Sequence, residues 1–308
     1  MNNVLVTGAL GQIGSELTPA LRDRPWADTV VASDVRRPDE PDGPFAVVDV
    51  TDRDDLEGVI ETHDIDTVFH LAAILSATGE EKPGLAYEVN VNGLHTVLEV
   101  ARENDLERVV VPSSIAVFGP DTPENPGEVT VLNPRTIYGI SKVFGEHLGM
   151  YYHRSFGLDV RGVRLPGIIS HRTKPGGGTT DYAVEVFYEA VASGSYTYFV
   201  REDTRLPMMY MPDAVEALIG IAEAPAEALT HRCSYNVGAL SFTAGELTAA
   251  IRAERPEFTA AYEPDERQAI ADSWPDRVDD SAAREDWGWE PTYDLSAMVS
   301  DMLAHLDE

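Results

Sequence analysis

The chain has 308 residues, and its 53 Asp and Glu against 23 Lys and Arg give a formal charge of -30 at pH 7. That length, with 43% hydrophobic residues, fits one large domain or two coupled ones around a sizeable core. The charge excludes nucleic acid as a partner, and no run approaches the ~20 apolar residues of a membrane span.

Met1-Asn2-Asn3-Val4-Leu5 has no basic stretch and does not read as a signal peptide. The single cysteine, Cys233, rules out an internal disulfide framework and fits a reducing cytoplasm. Lys82, Lys142 and Lys174 are the only lysines. The acidic residues run through segments that keep their hydrophobic periodicity. This reads as adaptation to very high salt, where surface carboxylates hold water and salt screens their repulsion.

Asn3 to Thr7 is an apolar run, a buried strand. Gly8-Ala9-Leu10-Gly11-Gln12-Ile13-Gly14 follows at once and opens a helix from Ser15 to Leu21. The glycines have Gly-x2-Gly-x2-Gly spacing. Gly8 permits a tight turn, Gly11 lets backbone approach a pyrophosphate, and Gly14 lets the helix pack closely on the strand. The helix N-terminus then faces the phosphates, with Gln12 and Ile13 beside them. Thr29 to Asp34 is the second strand. Asp34 at its end suits the adenosine ribose hydroxyls and repels a 2'-phosphate, so NAD is expected over NADP, although Arg36 and Arg37 lie close. Phe45 to Val50 is a third strand, ending with Asp49 and Val50 at the adenine edge. Asp52 caps a helix to about Glu61.

Asp66 to His70 is the fourth strand and runs into Leu71-Ala72-Ala73, where backbone can lie beside the cofactor. His70 reads as a packed strand residue, and Ser76 follows near where substrate would lie. One long helix is expected from about Leu85 to Asn104, carrying Asn90. Arg108 to Ser114 is a fifth strand with hydroxyls at its C-terminal end, the end where open parallel sheets bind ligands. A helix over 136–156 places Tyr138 and Lys142 on one face, one turn apart. Tyrosine titrates near pH ~10, and an adjacent ammonium favours the phenolate, so the pair can take a proton from an alcohol. Taken alone, Tyr-x3-Lys also fits an ordinary amphipathic helix; its place in the chain decides.

Asp159 to Leu165 is a sixth strand, followed by Pro166-Gly167-Ile168-Ile169. The alternation of strand and helix predicts an α/β fold with a doubly wound parallel Rossmann sheet over residues 1–165. Residues 166–308 form a smaller mixed region that binds substrate, with some segments returning to the Rossmann core. There, Pro175 to Asp181 is a flexible loop opening a helix from Tyr182 to about Ala192. Thr180 and Asp181 fit a helix N-cap as well as a ligand site. Met208, Met209 and Met211 read as core, ahead of a helix begun by Pro212-Asp213. The eight histidines show no metal-ligand spacing, so no metal is expected.

Gly8-x2-Gly11-x2-Gly14, Asp34, Ser114, Tyr138-x3-Lys142 and Pro166-Gly167 together resemble the extended short-chain dehydrogenase/reductases, from Asn3 through the last helices. The stretches Pro112 to Pro120, Pro175 to Val184 and Leu206 to Ala214 resemble more narrowly the epimerase-like L-threonine 3-dehydrogenases. One departure is a loop between Ser114 and Tyr138 that is shorter than in those relatives. The resemblance implies NAD-dependent oxidation of the L-threonine β-hydroxyl to 2-amino-3-oxobutanoate. Tyr138 would be the base. Lys142 would hold the ribose hydroxyls and depress the Tyr138 pKa. Ser114 would bind the substrate oxygen, with Ser113 as the fallback. Ser76 and Thr179 would bind the amino acid's polar head, with Thr180 and Asp181 as further candidates. The backbone of Pro166 to Ile168 would meet the nicotinamide amide, and Asn90 would order the site. The resemblance also implies a homodimer packed through the helices carrying Asn90 and Tyr138. Gly176 to Gly178 would be a lid hinge. A nucleotide-sugar 4-epimerase or dehydratase is the alternative on this fold, and a non-catalytic NAD-binding regulator is a further one.

Overall fold

The computed structural model describes residues 1–174 and 176–307. Its first half alternates as the sequence predicts: β1 (Asn3–Thr7), α1 (Gly14–Arg22), β2 (Thr29–Asp34), β3 (Phe45–Val47), α2 (Arg53–His63) and β4 (Thr67–His70). Asp52 caps α2 by accepting from the Asp54 and Asp55 amides. α3 (Ser76–Glu81) and α4 (Pro83–Tyr87) come next. A π-helical turn over Glu88–Gly93 then leads to α5 (Leu94–Glu103). The single helix expected over 85–104 is therefore interrupted, and the wide turn holds Asn90.

β5 (Arg108–Val110) and β6 (Ser113–Ser114) are separate strands where one was expected. Pro112, which has no amide hydrogen, lies between them, and β6 joins a different sheet. α6 (Ile137–Phe156) follows. The sixth strand also divides, into β7 (Asp159–Arg161) and β8 (Val163–Leu165). The Gly162 amide leaves the ladder to bond Arg232, and a Cβ there would meet the Val111 carbonyl at 2.4 Å.

The main sheet has six strands, ordered β3-β2-β1-β4-β5-β7, all parallel. Alternation along β1 sends its side chains to opposite faces. Val4 and Val6 enter one cluster with Leu17 and Leu21 of α1, while Leu5 enters another with Leu56 of α2 and Leu98 of α5. Both faces are covered, as a doubly wound sheet requires. Neighbouring strands run out in opposite directions from β1 and β4, so the crevice beyond their C-terminal ends is the place for a ligand.

The remainder comprises β9 (Gly167–Ile169), α7 (Tyr182–Ala192), β10 (Ser195–Tyr198), β11 (Arg205–Tyr210), α8 (Met211–Glu223), β12 (Tyr235–Asn236), β13 (Leu240–Thr243), α9 (Ala244–Glu254), β14 (Thr259–Tyr262), α10 (Arg267–Ala271), α11 (Ser281–Trp287) and α12 (Leu295–Leu306). A mixed sheet runs β13-β11-β9, with β11 parallel to β9 and antiparallel to β13. Tyr182, Phe187, Leu206, Phe242, Met298 and Met302 build a separate core around it. α8 packs instead with α1 on the main sheet. Met208, Met209 and Met211 are fully buried, as core packing demands. Among the described residues, no helix is long and apolar enough to cross a membrane.

Candidate active site

The glycine loop links β1 to α1 at the crevice. Gly8 holds φ +68°, and a Cβ there would lie 2.7 Å from the Ala72 amide nitrogen. A Cβ at Gly14 would come within 2.4 Å of the Gly8 carbonyl. Backbone therefore packs on backbone at both positions, and no side chain caps α1, because Ile13 occupies its N-cap. The Leu10 amide donates to the Asp34 carboxylate at 3.2 Å, which ties the loop to the end of β2. Gln12 reaches the Thr173 carbonyl across the crevice. Asp49 is exposed and accepts from the Thr51 amide and hydroxyl at 2.9 and 2.7 Å. Val50 is buried behind it, where a Cβ on Gly93 would meet it at 2.9 Å.

One cavity of about 230 Å³ gathers most of the expected residues. Gly8, Gly11, Gln12, Ile13 and Gly14 line one end, with Leu71, Ala73, Pro166 and Ile168 beside them. Ser76, Ser114, Tyr138, Lys142, Thr179, Thr180 and Asp181 line the rest. Asp34, Asp49 and Val50 do not line it, and Ala72 and Asn90 sit behind its wall around a small space of about 20 Å³. Trp274 lines the cavity too, and sequence reasoning missed it. It arrives on irregular chain after α10, where no motif or periodicity marks it.

Thr136 starts α6 by accepting from the Gly139 amide at 3.0 Å, which fixes the turn that presents Tyr138. Burial pushes the Tyr138 phenol up to about 12, and the neighbouring Ser114 hydroxyl pulls it back. Burial pushes Lys142 down to about 8, against the upward pull of Glu146. The expected depression of the Tyr138 pKa by Lys142 is thus not realised in this arrangement. The reason is geometric: the ammonium donates to the Pro112 carbonyl at 2.7 Å and stands 5.5 Å from the centre of the tyrosine ring.

The two serines separate cleanly. Ser113 donates to Glu146 at 2.6 Å, and Glu146 is held by both arms of the buried Arg164 at 2.8 and 2.7 Å. Both serines line the cavity, but the Ser113 hydroxyl is committed to Glu146, while Ser114 hydrogen-bonds Tyr138. Asn90 accepts from the Ile74 amide at 2.8 Å and donates to the Ile74 carbonyl at 2.9 Å. It also donates to Ser141, which donates to the Tyr138 carbonyl. Asn90 thus orders the site through backbone contacts rather than from within the cavity. His70 is buried 3.0 Å from the Thr7 hydroxyl, and burial, with Lys142 nearby, holds its pKa down at about 3. It is a neutral packed residue, as expected.

The glycine-rich loop supplies Gly178 to the cavity lining. The Asp181 carboxylate accepts from the Gly177 and Gly178 amides at 2.9 and 2.7 Å rather than capping α7. Burial raises its pKa, partly offset by those amides. Asp181 holds the N-cap position of α7, as expected of an aspartate there, but its carboxylate serves these loop amides instead of the helix's own. The Gly177 carbonyl in turn accepts from the Ala77 amide at 3.0 Å, pinning the loop to α3, where Ser76 sits. Thr179 is buried. Pro175 lies outside the described residues.

Residues 4–238 match the model of the NAD dependent epimerase/dehydratase family. The chain belongs to that family. It is 46% identical over 314 residues to an uncharacterized epimerase/dehydratase of Staphylococcus haemolyticus, covering 100% of this chain and 98% of that one. Among solved structures, a partial consensus L-threonine 3-dehydrogenase superposes with a TM-score of 0.97 at 52% identity, covering 99% of each chain. The holo form of a GalE-like L-threonine dehydrogenase from Cupriavidus necator gives 0.96 at 52% identity, with the same coverage.

The NAD of an epimerase/dehydratase fits the residues present here. The uncapped start of α1, the strained glycine turn and the small residues after β4 leave backbone, not side chains, at the pyrophosphate position.

Proposed function

We propose that this epimerase/dehydratase is an NAD-dependent L-threonine 3-dehydrogenase. The observation that carries the reading is one cavity joining Tyr138, Lys142 and Ser114 to Ser76, Thr179 and Asp181, which come from separate segments. Hydroxyls and a carboxylate suit the ammonium and carboxylate ends of a small zwitterion. No arginine lines that cavity among the described residues, whereas a nucleotide sugar needs a cationic cradle for its second pyrophosphate. This favours the dehydrogenase over a sugar epimerase or dehydratase. A non-catalytic NAD-binding regulator would have no use for the gathered Ser114, Tyr138 and Lys142.

Ser114 donates to the β-hydroxyl oxygen and orients it, and Tyr138 takes its proton at Oη. NAD, when bound, would supply the acceptor for the hydride that leaves the β-carbon. Lys142 would hold the ribose hydroxyls of the cofactor. With the phenol high in this arrangement, proton removal gains from alkaline conditions. Ser76 and Thr179, with Thr180 and Asp181 beside them, hold the amino acid head. Gly8, Gly11, Gln12, Ile13, Gly14 and Asp34 would hold the adenosine diphosphate portion, with Asp49 and Val50 at the adenine edge. Leu71 to Ala73, Asn90, Pro166 and Ile168 would serve the nicotinamide side.

Residues 1–165 serve as the NAD-binding domain and residues 166–308 mainly as the substrate region. Exposed Leu85 and Tyr87 on α4, with Ile140, Phe144 and Tyr151 on α6, support a homodimer packed on that face. The charge of -30 supports a cytoplasm of high salt, with an unfolding midpoint that climbs with KCl as its expected signature. The reaction is tested by NADH formation from NAD and L-threonine beside UDP-glucose. Turnover of the sugar nucleotide alone would replace this reading with the epimerase one.

A further inference from the structure

The face of α6 that carries Tyr138 and Lys142 continues to a third chemically active side chain. Tyr138, Lys142 and Glu146 follow one another at four-residue steps, so they line up along one side of the helix. All three hold the short segment 112–114. The Ser114 hydroxyl bonds the Tyr138 phenol, the Lys142 ammonium donates to the Pro112 carbonyl at 2.7 Å, and the Ser113 hydroxyl donates to Glu146 at 2.6 Å. Ser114 is therefore next in the chain to a residue that α6 grips one turn beyond Lys142.

Glu146 is itself fixed. β6 runs parallel to β8 with Ser113 opposite Arg164, and Glu146 accepts from both. Arg164 bonds the two carboxylate oxygens at 2.8 and 2.7 Å, donates to the Glu128 carbonyl at 3.1 Å and lies 5.3 Å from the centre of the Phe118 ring. The Arg164 and Glu146 side chains are only 2% and 6% exposed. Desolvation offsets most of the attraction in a buried ion pair, so the pair is a poor source of stability. It is a good source of position, because the carboxylate cannot turn away without stranding a buried guanidinium.

Lys142, Glu146, Ser113 and His70 also line the space of about 20 Å³, which admits about one water. Little solvent screens the charges that meet there. The titratable and charged groups around Lys142 are Tyr138 and Glu146 on its own helix, His70 of β4 and Cys233 ahead of β12, with Arg164 of β8 behind Glu146. His70 is neutral, and burial pushes the Cys233 thiol and the Tyr138 phenol up to about 12. Of these groups only Glu146 is an anion near pH 8, and it opposes the burial that lowers the lysine.

On the roles proposed above for Ser114, Tyr138 and Lys142, we infer that Glu146 is a positioning residue for the reaction: it ties Ser113, and through it Ser114, to the catalytic helix and supplies the countercharge to the Lys142 ammonium. Glu146 acts only through these neighbours, since it does not line the large cavity.

The chain has three lysines, so lysine-selective isotopic labelling lets NMR follow the titration of Lys142 in the NAD-free protein, its resonance identified by Lys142→Met. Glu146→Gln keeps an acceptor for Ser113 and loses the charge; its Lys142 midpoint should fall about one pH unit or more below the parent's. Ser113→Ala keeps the buried ion pair and cuts the tether. Its Lys142 midpoint should match the parent's, while kcat with threonine falls ~10-fold at an unchanged KM for NAD. Where Glu146→Gln fails to fold because Arg164 is stranded, Ser113→Ala decides. An unchanged midpoint in folded Glu146→Gln, or the parent's kcat in Ser113→Ala, would overturn the inference. A parent that binds NAD but leaves threonine untouched would remove the dehydrogenase reading instead, and the Lys142 midpoints would still decide the part played by Glu146.

Discussion

Replacing Asn90 tests how the fold holds the catalytic helix. Asn90 is buried and makes three side-chain hydrogen bonds: two to the Ile74 backbone at 2.8 and 2.9 Å, and one to Ser141 at 3.2 Å. A net worth of ~1 kcal/mol each, plus the desolvation of Ile74 groups left unpaired, gives about 3–4 kcal/mol for Asn90→Ala. Asn90→Asp is the sharper probe. It keeps the acceptor for the Ile74 amide but sets a carboxylate oxygen against the Ile74 carbonyl, so it should cost at least as much as alanine. Urea unfolding in high KCl, compared through midpoints at constant slope, gives the difference. Because Ser141 bonds the Tyr138 carbonyl, kcat should fall in both variants. A loss under ~1 kcal/mol, or an Asp variant as stable as the parent, would refute the clamp.

Three further outcomes follow from the geometry. Gly177 holds φ +96°, so Gly177→Ala strains the loop by ~1–2 kcal/mol and should raise the KM for threonine; unchanged steady-state kinetics would remove the lid role. The Lys142 pKa is lowered from 10.5 to about 8, so between those values the unfolded chain binds the extra proton and stability rises with pH. Parent stability relative to Lys142→Met should therefore grow from about pH 8 to pH 10 in the NAD-free protein, and a pH-independent difference would argue against a buried lysine. Tyr87→Glu combined with Ile140→Glu should convert a dimer to a monomer by light scattering, since both side chains are 52% exposed on neighbouring helices.

Local signals carried most of the fold. The apolar run of β1, the glycine spacing and the caps at Asp52 and Thr136 each act within a few residues, so the sequence displays them directly. Strand division at Pro112 and Gly162 was harder to see. It depends on partners far along the chain, Val111 and Arg232 for Gly162. The π turn at Asn90 likewise follows from packing that periodicity cannot encode.

In the site, the Tyr138 and Lys142 pair was legible from spacing, whereas strand position brought forward both serines and only the family resemblance preferred Ser114. Lys142's hold on the Pro112 carbonyl was not legible, nor was the burial that raises the Tyr138 phenol. Asp181 was ambiguous because the same residue type caps helices and closes glycine loops; only the loop's course toward α3 selects between them. Trp274 is a tertiary fact, brought to the cavity from a stretch that carries no motif.

The central claim is that Tyr138 removes the threonine hydroxyl proton in an NAD-linked oxidation. The most direct measurement is NADH formation from L-threonine and NAD in concentrated KCl at mildly alkaline pH, with Tyr138→Phe alongside. The account predicts steady turnover by the parent and a loss of ~10²-fold or more in the variant, which still binds NAD. A Phe variant as active as the parent, or a folded, NAD-binding parent that leaves threonine untouched, would contradict it.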